Sequence, residues 1–158
     1  MLAGLIYALA LATRLAFLSQ GAQDPVLRIP LADDRINWGS AEAILDGTLR
    51  PLSYVRAPGY LYVLAGLAAI TGRESFDARI AQVFIDAISP VLMFLIGAHL
   101  FGVGTGVMAG LIGALYWTCV FFSCQLVDTS LACLLALLLA YLCLLYTSDA
   151  ADDLLCVD

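Results

Sequence analysis

The chain contains no lysine and a single histidine, and only 13% of its 158 residues are charged. Soluble domains carry roughly 25% charged residues, so this chain has too few to cover a water-exposed surface. Its seven basic residues are all arginines and are outnumbered by thirteen acids, which argues against nucleic acid as a partner. Hydrophobic residues make up 63% of the chain. Together these features exclude an ordinary soluble enzyme and predict a protein embedded in membrane lipids.

Metal-ligand patterns are also missing. Three of the five cysteines, Cys119, Cys124 and Cys133, lie in or beside apolar runs without a CxxC spacing, so we interpret them as small apolar packing residues. No HxxE or ExxH pair occurs. We therefore predict neither a metal site nor a resident cofactor, and leave open whether activity depends on a divalent cation.

Long apolar stretches define the predicted architecture. A spanning helix needs about 20 mostly apolar residues, and we predict spans at residues 1–19, 80–101, 103–122 and 129–142. The apolar stretch at residues 60–71 is about 18 Å long as a helix, so we expect a short surface or re-entrant segment. If it does not cross the membrane, Asp34 and Asp128 lie on the same face. The predicted fold class is an all-α polytopic transmembrane protein.

Residues 20–58 form a polar loop that holds four of the seven arginines. Within it, Asp33 or Asp34 can cap an amphipathic helix that runs to Asp46 and stops at Gly47. The expected apolar side comprises Ile36, Trp38, Ala41, Ile44 and Leu45, with Asp34, Glu42 and Asp46 toward water. By the positive-inside rule alone, the arginines would place this loop in the cytosol.

Two charges lie inside predicted spans, at Arg14 and Asp86. Intramembrane charges usually face a partner or a wet cavity. Counting 1.5 Å per residue from the helix ends places both about 8–11 Å below the same surface. We therefore predict a structural Arg14–Asp86 pair. A third intramembrane feature, the spacing of Gly106 and Gly110, is typical of closely packed membrane helices.

The last residues differ in character from the rest. From Cys143 the sequence reads CLLYTSDAADDLLCVD, which resembles the in-frame translation of a transposase sequencing adapter. Without residues 143–158, nine acids face seven arginines and the formal charge changes from −6 to −2. We expect residues 1–142 to be the authentic N-terminal part of a longer transmembrane domain. A genuine acidic tail is the alternative.

Several short motifs follow one another along residues 1–142. They are Asp34 four residues before Trp38, Ala41 and Gly47, the APGY stretch at residues 57–60, Arg79 with Gln82, the LFG stretch at residues 100–102, and QLVD ending at Asp128. In this order the chain resembles a bacterial GT-C glycosyltransferase of the dolichyl-phosphate-mannose protein mannosyltransferase and aminoarabinose-transferase type. The resemblance implies a multi-pass protein of the bacterial inner membrane, with residues 20–58 as the first external loop. It also implies inverting transfer of a sugar from a polyprenyl-phosphate carrier to a lipid, glycan or protein acceptor.

The resemblance implies roles for particular residues. Asp34 would be the carboxylate of the external loop at the active site, acting as the base or orienting the acceptor, and Asp33 is the neighbour that could replace it. A cation would bind the leaving phosphate, supplied by Arg56, Arg35 or Arg79. Asp128 would hold a second site element or the acceptor, and Tyr60 would lie at the interface or stack on the sugar.

Other interpretations of the same residues stay open. Asp33, Asp34 and Asp128 are also preferred helix caps, a role that is compatible with catalysis. The alternative function is a non-catalytic polytopic membrane protein, such as a transporter or an assembly subunit. A transporter is expected to contain internal inverted repeats, and none is visible in the sequence.

Overall fold

A computed structural model describes residues 1–21, 33–48 and 57–155. In this part of the chain every regular element is an α-helix. The helices are α1 Leu2–Gly21, α2 Asp33–Leu45, α3 Pro58–Thr71, α4 Ser75–Asp86, α5 Ile88–Phe101, α6 Val103–Leu115, α7 Trp117–Ser123 and α8 Asp128–Leu155. The predicted all-α polytopic fold is thereby confirmed.

Three helical segments of the described residues are long and apolar enough to span a membrane. They are Leu2–Gly21, Ser75–Phe101 and Asp128–Thr147, and the bent pair α6 and α7 makes a fourth if it counts as one span. The segment Ser75–Phe101 begins five residues before the predicted span at residue 80. Within it, α4 and α5 follow each other with a single turn residue between them. Helix α3 has 14 residues and stays below spanning length.

Two breaks interrupt the apolar segments. Between α4 and α5 the backbone of Ala87 stays near helical angles, but the helical hydrogen bonding is interrupted, since Pro90 lacks the N–H that would bond to the Asp86 carbonyl. Between α6 and α7 the axis bends by 55°, because Tyr116 adopts an extended backbone with ψ 115°. The end of α6 leaves carbonyls without helical partners, and the Thr13 hydroxyl lies within hydrogen-bond distance of the Ala114 carbonyl, at 3.0 Å, as well as of the Ala10 carbonyl in its own helix, at 2.9 Å. The span predicted at residues 103–122 is therefore broken.

Helices α5 and α6 form a closely packed antiparallel hairpin. Its turn is Gly102, whose φ of +91° lies in the region that favours glycine. Where the two helices touch, a Cβ built on Gly106 would lie 2.6 Å from the Phe94 carbonyl oxygen and 2.7 Å from the Ala98 nitrogen. The helices therefore approach each other so closely that only glycine fits at residue 106.

We expect Gly106→Ala to destabilise the protein by about 1–3 kcal/mol, the usual effect of overpacking. The new methyl group meets backbone atoms of α5, which cannot rotate away as a flexible side chain could. The measurement is the thermal unfolding midpoint of the detergent-solubilised protein. Gly104→Ala is the matched control, because nothing lies within 4 Å of a Cβ there. Equal midpoints for the two variants would contradict the packing argument.

Helices α2 and α3 pack together at one end of the bundle. Their apolar contact is a cluster of buried residues completed by α4 and by the segment before α8: Trp38, Ala41, Tyr60, Leu64, Ala65, Ala68, Ala78 and Leu126. The predicted apolar face of α2 is rotated in the structure. Ile36 is 53% exposed and Asp34 is buried, because the carboxylate of Asp34 finds an arginine on α4.

Candidate functional site

A buried ion pair joins the first turn of α2 to α4. The Asp34 carboxylate oxygen Oδ2 accepts a hydrogen bond from Arg79 Nη2 at 2.6 Å, and the two side chains are 7% and 1% exposed. Arg79 Nη1 also donates to the Cys124 carbonyl at 2.8 Å. Both terminal nitrogens of the guanidinium are thus engaged. Arg79 Nε is buried without a hydrogen-bond partner among the described residues.

The last residue of α7, Ser123, and the segment that leads from it to α8 lie against this ion pair. The carbonyls of Ser123 and Gln125 accept from Gln82 Nε2 at 3.0 and 2.7 Å, and the Leu126 carbonyl accepts from Asn37 Nδ2 at 2.8 Å. Together with the bond from Arg79 to Cys124, four consecutive carbonyls each receive a side-chain donor. The backbone of residues 123–126 is therefore fixed by α2 and α4.

Tyr60 and Asp128 complete this polar cluster. The Tyr60 hydroxyl donates to Gln82 Oε1 at 2.7 Å, and burial, followed by the charge of Asp34, raises the pKa of the phenol far above its ordinary value. The phenol therefore stays a hydrogen-bond donor. Asp128 is the first residue of α8, directly after the segment held by Gln82 and Asn37. Its charge also raises the Tyr60 pKa, though less than burial and Asp34 do. The structure thus brings Asp34 and Asp128 to the same end of the bundle.

The other predicted site residues are placed differently. Asp33 and Arg35 flank Asp34 and are exposed on the surface of α2. Arg56 lies outside the described residues. Arg79, predicted as one of the phosphate-binding cations, has its guanidinium turned to Asp34 and to the Cys124 carbonyl, because α2 and α7 cover it. Only Arg35 among these arginines is described with an exposed side chain.

A second buried ion pair lies deeper in the helices. Arg14 Nε and Asp86 Oδ2 are 2.9 Å apart, with side chains 1% and 8% exposed. Arg14 Nη1 donates to the Ala10 carbonyl within α1 at 3.1 Å. The pair borders a cavity of about 150 Å³, whose lining also includes Ser89 and Ser130. The structure thus joins the two intramembrane charges that the sequence places at matching depths.

Two residues of the polar cluster, Asn37 and Gln82, were not predicted as site residues. Each lies three positions after a charged member of the cluster, Asn37 after Asp34 and Gln82 after Arg79. Positions three apart share one face of a helix. Polar pairs at this spacing on one face of an amphipathic helix are the signal that could have identified both amides.

Comparison with known proteins places the chain in a family. The sequence profile described as dolichyl-phosphate-mannose-protein mannosyltransferase matches residues 55–157, which include Tyr60, Arg79, Gln82 and Asp128 but not Asp34. No curated protein and no solved structure gives a significant match. The matched segment also takes in residues 143–157, so the adapter resemblance of that segment stays a prediction.

The profile and the structure agree on the class of protein. The match covers more than half of the chain, and its residues supply helices α3 to α8 together with most of the polar cluster. Membrane helices with a buried polar cluster at one end suit chemistry on a lipid-embedded substrate. The chain belongs to the dolichyl-phosphate-mannose-protein mannosyltransferase family, which indicates a membrane glycosyltransferase of the GT-C type.

Proposed function

We propose that the protein transfers a sugar from a polyprenyl-phosphate carrier to a lipid, glycan or protein acceptor. The transfer would take place at the extracytoplasmic face of a bacterial inner membrane. The observation that carries this proposal is the buried Asp34–Arg79 ion pair, at the end of the bundle where α8 begins. A buried carboxylate held by an arginine has a defined orientation, which an acid–base group needs.

Asp34 acts as the base in this proposal. The acceptor hydroxyl or amine attacks the anomeric carbon and forms the new glycosidic bond, while the bond from that carbon to the phosphate oxygen breaks. The acceptor proton passes to the carboxylate of Asp34, and the lipid phosphate leaves with the electron pair of the broken bond. Attack opposite the leaving phosphate inverts the configuration. Because Arg79 holds Oδ2, we assign Oδ1 to the acceptor proton.

The neighbouring residues take supporting roles. Arg79 is a positioning residue, since both of its terminal nitrogens are engaged within the protein. The leaving phosphate is then bound by Arg35, which is exposed on α2, and by Arg56. A guanidinium suits this role because it binds phosphate through two parallel hydrogen bonds. Asp128, at the start of α8, orients the acceptor.

The identity of the donor tests the proposed function. The complete protein, in detergent with bacterial membrane extract as acceptor, is incubated with radiolabelled polyprenyl-phosphate mannose, glucose or aminoarabinose. We expect label to enter the extract from at least one of these donors, with stoichiometric release of polyprenyl phosphate. The nucleotide-linked forms of the same sugars are the control. Transfer from a nucleotide-linked sugar, but from no lipid-linked one, would refute the proposal.

A further inference from the structure

The segment from Ser123 to Leu126 is held by side chains to an unusual degree. The end of a helix leaves carbonyls without partners, and a buried carbonyl needs a hydrogen bond to offset its lost hydration. Ser123, Cys124 and Leu126 are each 0% exposed. Water does not reach these residues, so the donors on Arg79, Gln82 and Asn37 supply the missing hydrogen bonds.

These donors also belong to the surroundings of Asp34. Asn37 follows Asp34 by one helical turn on α2, and Gln82 follows Arg79 by one turn on α4. Arg79 itself bonds both to Asp34 and to the carbonyl of Cys124. The segment continues directly into α8, which begins at Asp128. The position of Asp128 relative to Asp34 is therefore set by this group of donors.

Gln82 has the central place among them. Its Nε2 donates to two carbonyls, at 3.0 Å to Ser123 and at 2.7 Å to Gln125. Its Oε1 accepts from the Tyr60 hydroxyl at 2.7 Å. A phenol that stays protonated can only donate to Oε1 in this geometry, and this directs the amide nitrogen toward the carbonyls. Tyr60 thus fixes the orientation of the Gln82 side chain.

We propose that Gln82 is a positioning residue for sugar transfer, with its amide orientation set by Tyr60. It acts through residues 123–126 on Asp128, and keeps that carboxylate at the distance from Asp34 that the acceptor requires. This inference rests on the proposed function, because it assumes that Asp34 and Asp128 address one acceptor. A misplacement of about 1 Å in a catalytic constellation can lower the rate on the order of 100-fold.

The test compares three variants of the complete protein with the wild type. Gln82→Met keeps the length of the side chain but removes its hydrogen bonds, and Tyr60→Phe removes only the hydroxyl that orients the amide. Ser89→Ala is the matched control, since the Ser89 hydroxyl is buried without a hydrogen-bond partner among the described residues. Steady-state transfer gives kcat and the donor KM, and hydrogen exchange reports on the amides of residues 124–127.

We expect Gln82→Met to lower kcat by roughly 10- to 100-fold and Tyr60→Phe to lower it less. The donor KM should stay within about twofold of the wild type, because the donor phosphate binds elsewhere. Hydrogen exchange at residues 124–127 should accelerate in both variants, and Ser89→Ala should match the wild type throughout. If Gln82→Met does not fold, the kcat and hydrogen exchange of Tyr60→Phe decide whether the inference holds.

Two results would overturn the inference. One is a folded Gln82→Met or Tyr60→Phe variant with the kcat of the wild type, and the other is a raised donor KM at unchanged kcat. In both cases the proposed function survives, because wild-type transfer is intact. If the wild type transfers no sugar from any lipid-linked donor, the proposed function fails. Unchanged hydrogen exchange at residues 124–127 in Gln82→Met would, whatever the activity, disprove that Gln82 fixes the backbone of residues 123–126.

Discussion

Asp34→Asn is expected to lower kcat for sugar transfer by about 10²- to 10⁴-fold, the usual contribution of a positioned acid–base group. Asparagine has the shape of aspartate and still accepts a hydrogen bond from Arg79, but it cannot take the acceptor proton. The donor KM should change little, since the lost interaction develops only as the proton moves. The measurement is steady-state transfer from the lipid-linked sugar by the complete protein.

Two controls separate catalysis from folding in this experiment. Asp33→Asn removes the exposed neighbouring carboxylate and should leave most of the activity in place. Because Asp34→Asn leaves the buried Arg79 without a counter-charge, the double variant Asp34→Asn/Arg79→Gln should recover thermal stability without recovering transfer. A folded Asp34→Asn protein with wild-type kcat would exclude Asp34 as the base. A large loss in Asp33→Asn alone would move that role to the neighbouring residue.

Arg14→Met is expected to reduce the free energy of unfolding by about 3–5 kcal/mol, because it leaves the Asp86 carboxylate buried without its partner. The two side chains are 1% and 8% exposed, so bulk water solvates the remaining carboxylate poorly. The Arg14 guanidinium bonds to Asp86 and to the Ala10 carbonyl rather than to Asp34, so its effect should appear in stability before it appears in catalysis. Unfolding of the detergent-solubilised protein, followed by circular dichroism, measures the loss.

Comparison variants define what the buried pair contributes. The double variant Arg14→Met/Asp86→Leu should recover most of the loss, since apolar residues of similar volume often replace a buried pair without destabilisation. Arg73→Ala breaks the exposed pair of Arg73 with Asp46, whose side chains are 52% and 53% exposed, and should change stability by at most about 1 kcal/mol. If Arg14→Met were no more destabilising than Arg73→Ala, the argument from burial would be wrong.

Much of the helical architecture follows from local chemistry, and for that reason it was predictable. The ends of α2 illustrate this, because Asp33 begins the helix and Gly47 follows it with a φ of +67°. The face of α2 was not predictable in the same way. The pattern of polar and apolar residues in α2 predicts that Asp34 faces water. The sequence of α2 alone does not indicate that Asp34 pairs with Arg79, 45 positions later in the chain.

The few charges of this lysine-free chain, and its long apolar runs, determined by themselves that it is an all-α membrane protein. They also placed Arg14 and Asp86 at matching depths, since depth in a helix is a matter of counting residues. Only the tertiary structure decided that Arg79 holds Asp34, and that Asn37 and Gln82 hold the segment before Asp128. Such partners are chosen by how helices distant in sequence pack together, because a buried polar group must bond to whatever lies beside it.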